Sequence, residues 1–131
     1  MKLASKCIHA GNHSDKETGA LKTPLQMSNV YRLPTDGTEP DWSGIDTNIY
    51  ARNGNVNQFA LEEKLCAIEK AESCVVLASG VAALHGTFFT FLQNGDHVVC
   101  SQVCYAAVSK LFTILLPVKF DIQITFVDTT D

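Results

Sequence analysis

The sequence predicts an α/β layered domain over residues 57–131, preceded by an extended arm over residues 1–56. Three observations carry that expectation. In the second region the apolar pattern switches repeatedly between helical spacing and short continuous runs. The first region is rich in Gly, Asn, Asp, Thr and Pro, and Pro24, Pro34 and Pro40 are three of the chain's four prolines. Hydrophobic residues make up 46% and charged residues 18% of 131 residues, which suffices for one domain's core and argues against disorder.

Within the arm, Leu25, Met27, Val30, Tyr31 and Leu33 are scattered without period. So long an irregular stretch is unusual in a compact domain. Tyr31, Trp42 and Tyr50 favour an arm draped over another surface, because aromatic residues are depleted in disordered tails. From residue 57 the elements become regular. Leu61, Leu65 and Ile68, with Glu62, Glu63, Lys64, Glu69 and Lys70 between and after them, predict an amphipathic helix over 57–70 with Asn55 or Asn57 as its N-cap. Cys74-Val75-Val76-Leu77 predicts a buried strand near 74–78, closed by Ser79-Gly80. Residues 81–92 are apolar nearly all round and predict a buried helix near 80–93, stopped by Asn94-Gly95-Asp96. A second strand is expected at 97–100, a helix at 104–115 ended by Pro117, and a third strand at 122–127. Strands alternating with helices predict parallel pairing through right-handed crossovers.

Bulk properties exclude several function classes. The net charge of −4 lacks the basic face of a nucleic-acid binder. Cysteines at 7, 66, 74, 100 and 104 are odd in number and form no CxxC pair, which fits reduced thiols in a cytoplasmic protein. No set of Cys and His has zinc spacing, so no metal site is expected. Met1–Ala10 holds two lysines and no apolar run, so no signal peptide is read there, and no apolar stretch is long enough for a membrane span.

Three features carry chemistry. Leu77 to Ala83 places Ser79-Gly80-Val81 where a strand turns into a helix. The first N–H groups of such a helix lack partners, the macrodipole makes that end positive, and glycine admits a ligand close to the backbone. Phosphate suits that end, although a plain turn reads the same way. Tyr50-Ala51-Arg52 offers a guanidinium fork for phosphate, or is a solvated loop arginine. Tyr105 follows the second strand at its carboxyl end, where ligands of open α/β sheets bind, and is either a stacking ring or a capping aromatic.

As an ordered set these features resemble a family. The pattern runs from YxRxxN at 50–55 through a helix and a strand into SGxAA at 79–83, NGDHVV at 94–99 and Tyr105 opening a helix. It is very similar to the pyridoxal-phosphate (PLP) enzymes of Cys/Met metabolism, which include cystathionine γ-synthases and lyases, methionine γ-lyases and O-acetylhomoserine sulfhydrylases. CIHAG at 7–11, segment 14–19, Pro24-Leu25 and the closing TFVDTTD extend the resemblance over the whole chain. It implies the first part of the large domain of the aspartate aminotransferase-like (type I) PLP fold. It further implies PLP as cofactor, with Tyr50 and Arg52 on the phosphate of a neighbouring subunit. Ser79, Gly80 and Val81 would hold the chain's own phosphate, chiefly through the Gly80 and Val81 amides, and Tyr105 would stack on the pyridine ring and assist proton transfer. The arm would wrap a dimer interface in a homodimer or homotetramer acting on amino acids such as cystathionine, methionine or O-acyl-homoserine.

Departures from the family pattern are specific. Asn55-Val56-Asn57 stands for Asn-Pro-Thr, Val81 for a frequent Met, and Ala107 for the Cys common in methionine γ-lyases. Asp121 replaces a usual Gly, and Val118 reads as a one-residue insertion. The cofactor-linking lysine of the family lies beyond the third strand, and neither Lys110 nor Lys119 matches it. The expectation is therefore a truncated chain, inactive and poorly stable alone. Two alternatives stand beside it. One is a non-catalytic remnant. The other is a small phosphate- or nucleotide-binding α/β module, which leaves the 50–52 loop and the long arm without a role.

Overall fold

The computed structural model describes residues 1–42 and 48–130. The chain forms two compact units, Met1–Val76 and Leu77–Asp131. The first holds α1 (Leu3–His9) and α2 (Val56–Glu69). The second holds α3 (Gly80–Phe91), β1 (His97–Ser101), α4 (Ala106–Lys110), a π-helical turn (Leu111–Leu115), α5 (Leu116–Phe120) and β2 (Gln123–Val127).

In the first unit the arm is less irregular than expected, because Leu3–His9 is helical and packs on α2. Charge explains the docking. Lys6 Nζ donates to Ala67 O at 2.6 Å, placing a cation on the carbonyl end of α2. Lys64 Nζ returns the bond to Cys7 O at 3.2 Å, and His13 Nε2 lies 2.7 Å from the Glu63 carboxylate. Gly11 makes the close approach possible. It is buried at φ +68°, and a Cβ there would run into Ala60 O and come 3.2 Å from Lys64 N. α2 begins one residue earlier than predicted. Asn55 is the N-cap, accepting from Asn57 N at 2.8 Å, and Val56 takes the first helical position where the family's proline would fit. Asn57 clamps the arm instead: its Oδ1 accepts from Gln26 N at 3.0 Å and its Nδ2 donates to Gln26 O at 2.8 Å.

The second unit is a right-sized piece of α/β architecture. β1 and β2 pair in parallel, with His97 opposite Gln123 and Ser101 opposite Val127. Val108, Leu111, Phe112, Leu116 and Ile122 form its core, with Leu84, Phe88 and Leu92 of the α3 region packed against them. The rings of Phe88 and Phe112 meet at 4.8 Å. Burial of α3 is one-sided, contrary to the all-round apolar expectation, and Phe91 stays 75% exposed.

Two further expectations are corrected. Residues 74–78 form no strand; the described sheet has two strands, not three. The Val76 N–H donates to Glu62 Oε1 at 2.8 Å rather than to a neighbouring strand, and Val75 is 73% exposed. Pro117 does not end the helix after Tyr105, which continues to Phe120. A π turn makes this possible: Leu116 N–H reaches back to Leu111 O, which opens the ladder just before the proline, and Pro117 sits where no N–H is demanded. That turn holds one more residue than an α turn. Leu116 follows it into the core beside Leu111 and Phe112. Asp121 ends α5 in the left-handed region at φ +52°, which is why a glycine suits that position.

Two substitutions test these assignments by urea unfolding. Gly11→Ala should lower stability by roughly 1–3 kcal/mol, since backbone strain and a backbone clash act together. Asp121→Gly should raise it by roughly 0.5–1 kcal/mol by removing the left-handed cost.

Candidate functional site

The residues singled out in the sequence fall into both units. Tyr50 and Arg52 belong to the first, and Ser79, Gly80, Val81 and Tyr105 to the second.

In the first unit Tyr50 is held by an antiparallel bridge to Val30, with Tyr31 N donating to Ile49 O at 3.1 Å and Ala51 N to Asn29 O at 2.9 Å. Tyr50 O then accepts from Asn53 N and Gly54 N at 2.9 and 3.2 Å, closing a tight turn. Arg52 rides on that turn, exposed, with its guanidinium carbon 5.2 Å from the centre of the Tyr50 ring. The ring face orients the fork without consuming its N–H donors. Val30, Tyr31, Leu33 and Trp42 join Tyr50 and Arg52 around an open cleft of about 420 Å³.

In the second unit Ser79 caps α3. Its Oγ accepts from Ala82 N at 3.1 Å and its carbonyl from Ala83 N at 3.0 Å. These bonds do not involve the amides of Gly80 and Val81, which stand at the positive end of a 12-residue helix. Gly80 has no structural reason to be glycine. Its φ is not positive, it is exposed, and a Cβ there would meet nothing within 4 Å. A residue that weakens a helix start relative to alanine, in open space, fits a site where a bulky anion comes close to the backbone. The site therefore fits the phosphate of the cofactor that the resemblance implies.

The parallel pairing sets the edge at which this end lies. The chain leaves α3, turns at Gly95 (φ +88°) and enters β1 at His97, so the C-terminal end of α3 meets the amino ends of the strands. Gly80, at the other end, points toward their carboxyl ends. Tyr105 opens α4 from the same edge, 62% exposed and making no side-chain cap, so its ring is free to meet a flat ligand.

Sequence reading missed the polar cluster at that edge. Ser101 Oγ and Thr129 Oγ1 are 2.8 Å apart across the strand ends. The Asp128 carboxylate accepts from the Thr130 hydroxyl at 2.7 Å and from Thr130 N at 3.0 Å. The Thr130 hydroxyl first, and its N–H second, hold the Asp128 carboxyl below the usual carboxylate range, so a negative charge is kept there. The D-x-T spacing, repeated at Asp36-Gly37-Thr38, was the available signal.

The profile described as "Cys/Met metabolism PLP-dependent enzyme" matches residues 4–131. The canavanine gamma-lyase of Pseudomonas canavaninivorans is 49% identical over 131 residues, covering 100% of this chain and 33% of that protein. The cystathionine gamma-lyase of Dictyostelium discoideum is 35% identical, covering 97% of this chain and 31% of that protein. Among solved structures, metB from Corynebacterium glutamicum superposes with a TM-score of 0.86 at 27% identity, over 100% of this chain and 32% of that one. The chain spans about a third of the length of the curated relatives it matches.

The carboxylate assignment has a direct check. In a pH titration followed by side-chain carbonyl NMR, Asp128 should titrate below an ordinary aspartate, and Thr130→Val should move it up. A group depressed in this way adds stability above its unfolded pKa, and that contribution fades as pH falls through the folded value. An Asp128 midpoint unmoved by Thr130→Val would contradict the hydroxyl as the main cause.

Proposed function

Because the chain belongs to the Cys/Met-metabolism family of PLP-dependent enzymes, we propose that it forms the phosphate- and ring-holding part of a lyase acting at the γ carbon of an amino acid. The observation that carries this reading is Gly80: a glycine with no structural duty, beside two amides open at a helix N-terminus. Residues 1–56 serve as an interface arm and residues 57–131 as the first part of the PLP-binding domain.

Each residue has a distinct task. The Gly80 and Val81 N–H groups donate to phosphate oxygens. Ser79 Oγ, already an acceptor for Ala82 N, keeps its own O–H to donate to the same anion. Arg52 donates its fork to phosphate in a homo-oligomer, with Tyr50 orienting it and reaching the same group through its hydroxyl. Tyr105 covers the face of the pyridine ring, excludes water there, and holds or passes a proton at its phenolic oxygen. PLP, when bound, supplies the electron sink that labilises bonds around the substrate's α carbon. Five free thiols support a reducing, cytoplasmic setting.

The substrate reading has two branches. Sulfur amino acids such as cystathionine, methionine or O-acyl-homoserine are the general expectation of the family. One observation favours canavanine: two canavanine gamma-lyases stand at 49% and 47% identity, against 35% for the cystathionine gamma-lyase above. Both share cleavage at the γ carbon.

Two variants of the protein test the cofactor assignment in PLP titrations. Arg52→Ala should lose about tenfold to hundredfold in PLP affinity, from the roughly 1.5–3 kcal/mol of a hydrogen bond to a charged group. Gly80→Ala should leave the unfolding midpoint unchanged or higher while weakening PLP binding. Wild-type affinity in both variants would overturn the assignment.

A further inference from the structure

We propose that Cys66 and Cys74 form a reversible dithiol–disulfide site that pins the segment leading into the Ser79-Gly80 turn. The placement follows from backbone geometry. α2 ends at Lys70 in the left-handed region (φ +58°), and Ala71 N donates to Cys66 O at 3.1 Å, so the chain reverses there. Val76 N then donates to Glu62 Oε1 at 2.8 Å. Glu62 lies one helical turn before Cys66, about 6 Å along the axis. Cys74 lies two extended residues before Val76, roughly 6.6 Å in the opposite sense. The returning segment thus runs along α2 in the register that sets Cys74 over Cys66. Both thiols are half-buried and free, and Cys74 is near enough to act on the Cys66 thiol. Burial first, and Cys74 second, push the Cys66 thiol up, as expected of two thiols sharing one partly dry spot.

The reaction partner is a low-molecular-weight disulfide, R–S–S–R. One cysteine, as thiolate, attacks a sulfur of that disulfide, forming a mixed disulfide and expelling RS⁻. The second cysteine, as thiolate, attacks the protein sulfur of the mixed disulfide and expels the second RS⁻. The two protons lost by the cysteines are taken up by the departing thiolates. Two cysteines are oxidised to one disulfide and R–S–S–R is reduced to two R–SH. The product fastens the segment just before the chain enters the Ser79 cap. There the Val76 N–H is held by Glu62 Oε1. Neither thiol belongs to the phosphate cradle. Cys100 and Cys104 pack against the core of the second unit and provide an internal control pair.

The test equilibrates the protein with graded ratios of oxidised to reduced glutathione. Free thiols are then blocked, and the protein is digested without reduction. A peptide pair joined through Cys66 and Cys74 should accumulate before any other joined pair. It should be absent in Cys66→Ser and in Cys74→Ser, and revert with excess reduced glutathione. Hydrogen exchange at the Val76 and Leu77 amides should slow by roughly tenfold or more in the oxidised protein, given what a loop-closing disulfide contributes. Separate glutathione adducts on Cys66 and Cys74, earlier joining of Cys100 to Cys104, or unchanged exchange at Val76 and Leu77 would each overturn the proposal.

Discussion

Parallel pairing of β1 with β2 is the constraint on which the second unit depends. Parallel neighbours cannot be joined by a tight hairpin, so a crossover must carry the chain back over one face of the sheet. α4, the π turn and α5 form that crossover, and its apolar side chains supply most of the core. The same pairing gathers the carboxyl ends of both strands at one edge. Ser101 and Thr129 meet there because of it. α3 then needs only a row of contacts, Leu84, Phe88 and Leu92, to be held with its N-terminal amides toward that edge. The chemistry of the site is thus a consequence of packing at the other end of each element.

The π turn shows how that core tolerates an awkward sequence. Opening the ladder within Leu111–Leu115 accommodates Pro117 without ending the helix. In the first unit a comparable economy rests on Gly11. Because it lacks a side chain, the arm lies directly on the backbone of α2, where Lys6 and Lys64 reach carbonyl oxygens.

Much of this was legible in the sequence where a local rule decides the outcome. Asn55 caps α2, Ser79 caps α3, and β1 and β2 fall within a residue of their expected limits. The family, its fold and its cofactor were legible through the ordered motifs as a set. What was not legible depends on partners. Cys74 to Ala78 has strand composition, yet a strand is a property of a pair, and the described residues offer it none. Pro117 reads as a stop only if the preceding turn is α-helical. Gly11 and Asn57 carry tertiary contacts that no periodicity announces. Asp128 was overlooked because its role lies in the hydroxyl two residues on.

The central claim is that the open end of α3 is the chain's phosphate cradle. It is tested most directly by recording amide ¹H–¹⁵N spectra of the protein as pyridoxal phosphate is added, with pyridoxal as the control lacking the phosphate. The account predicts that the Gly80 and Val81 amide protons move downfield with the phosphate compound and not with the control, as expected when those groups donate to an anion. Equal shifts with both compounds, or phosphate-dependent shifts that leave Gly80 and Val81 in place, would contradict it.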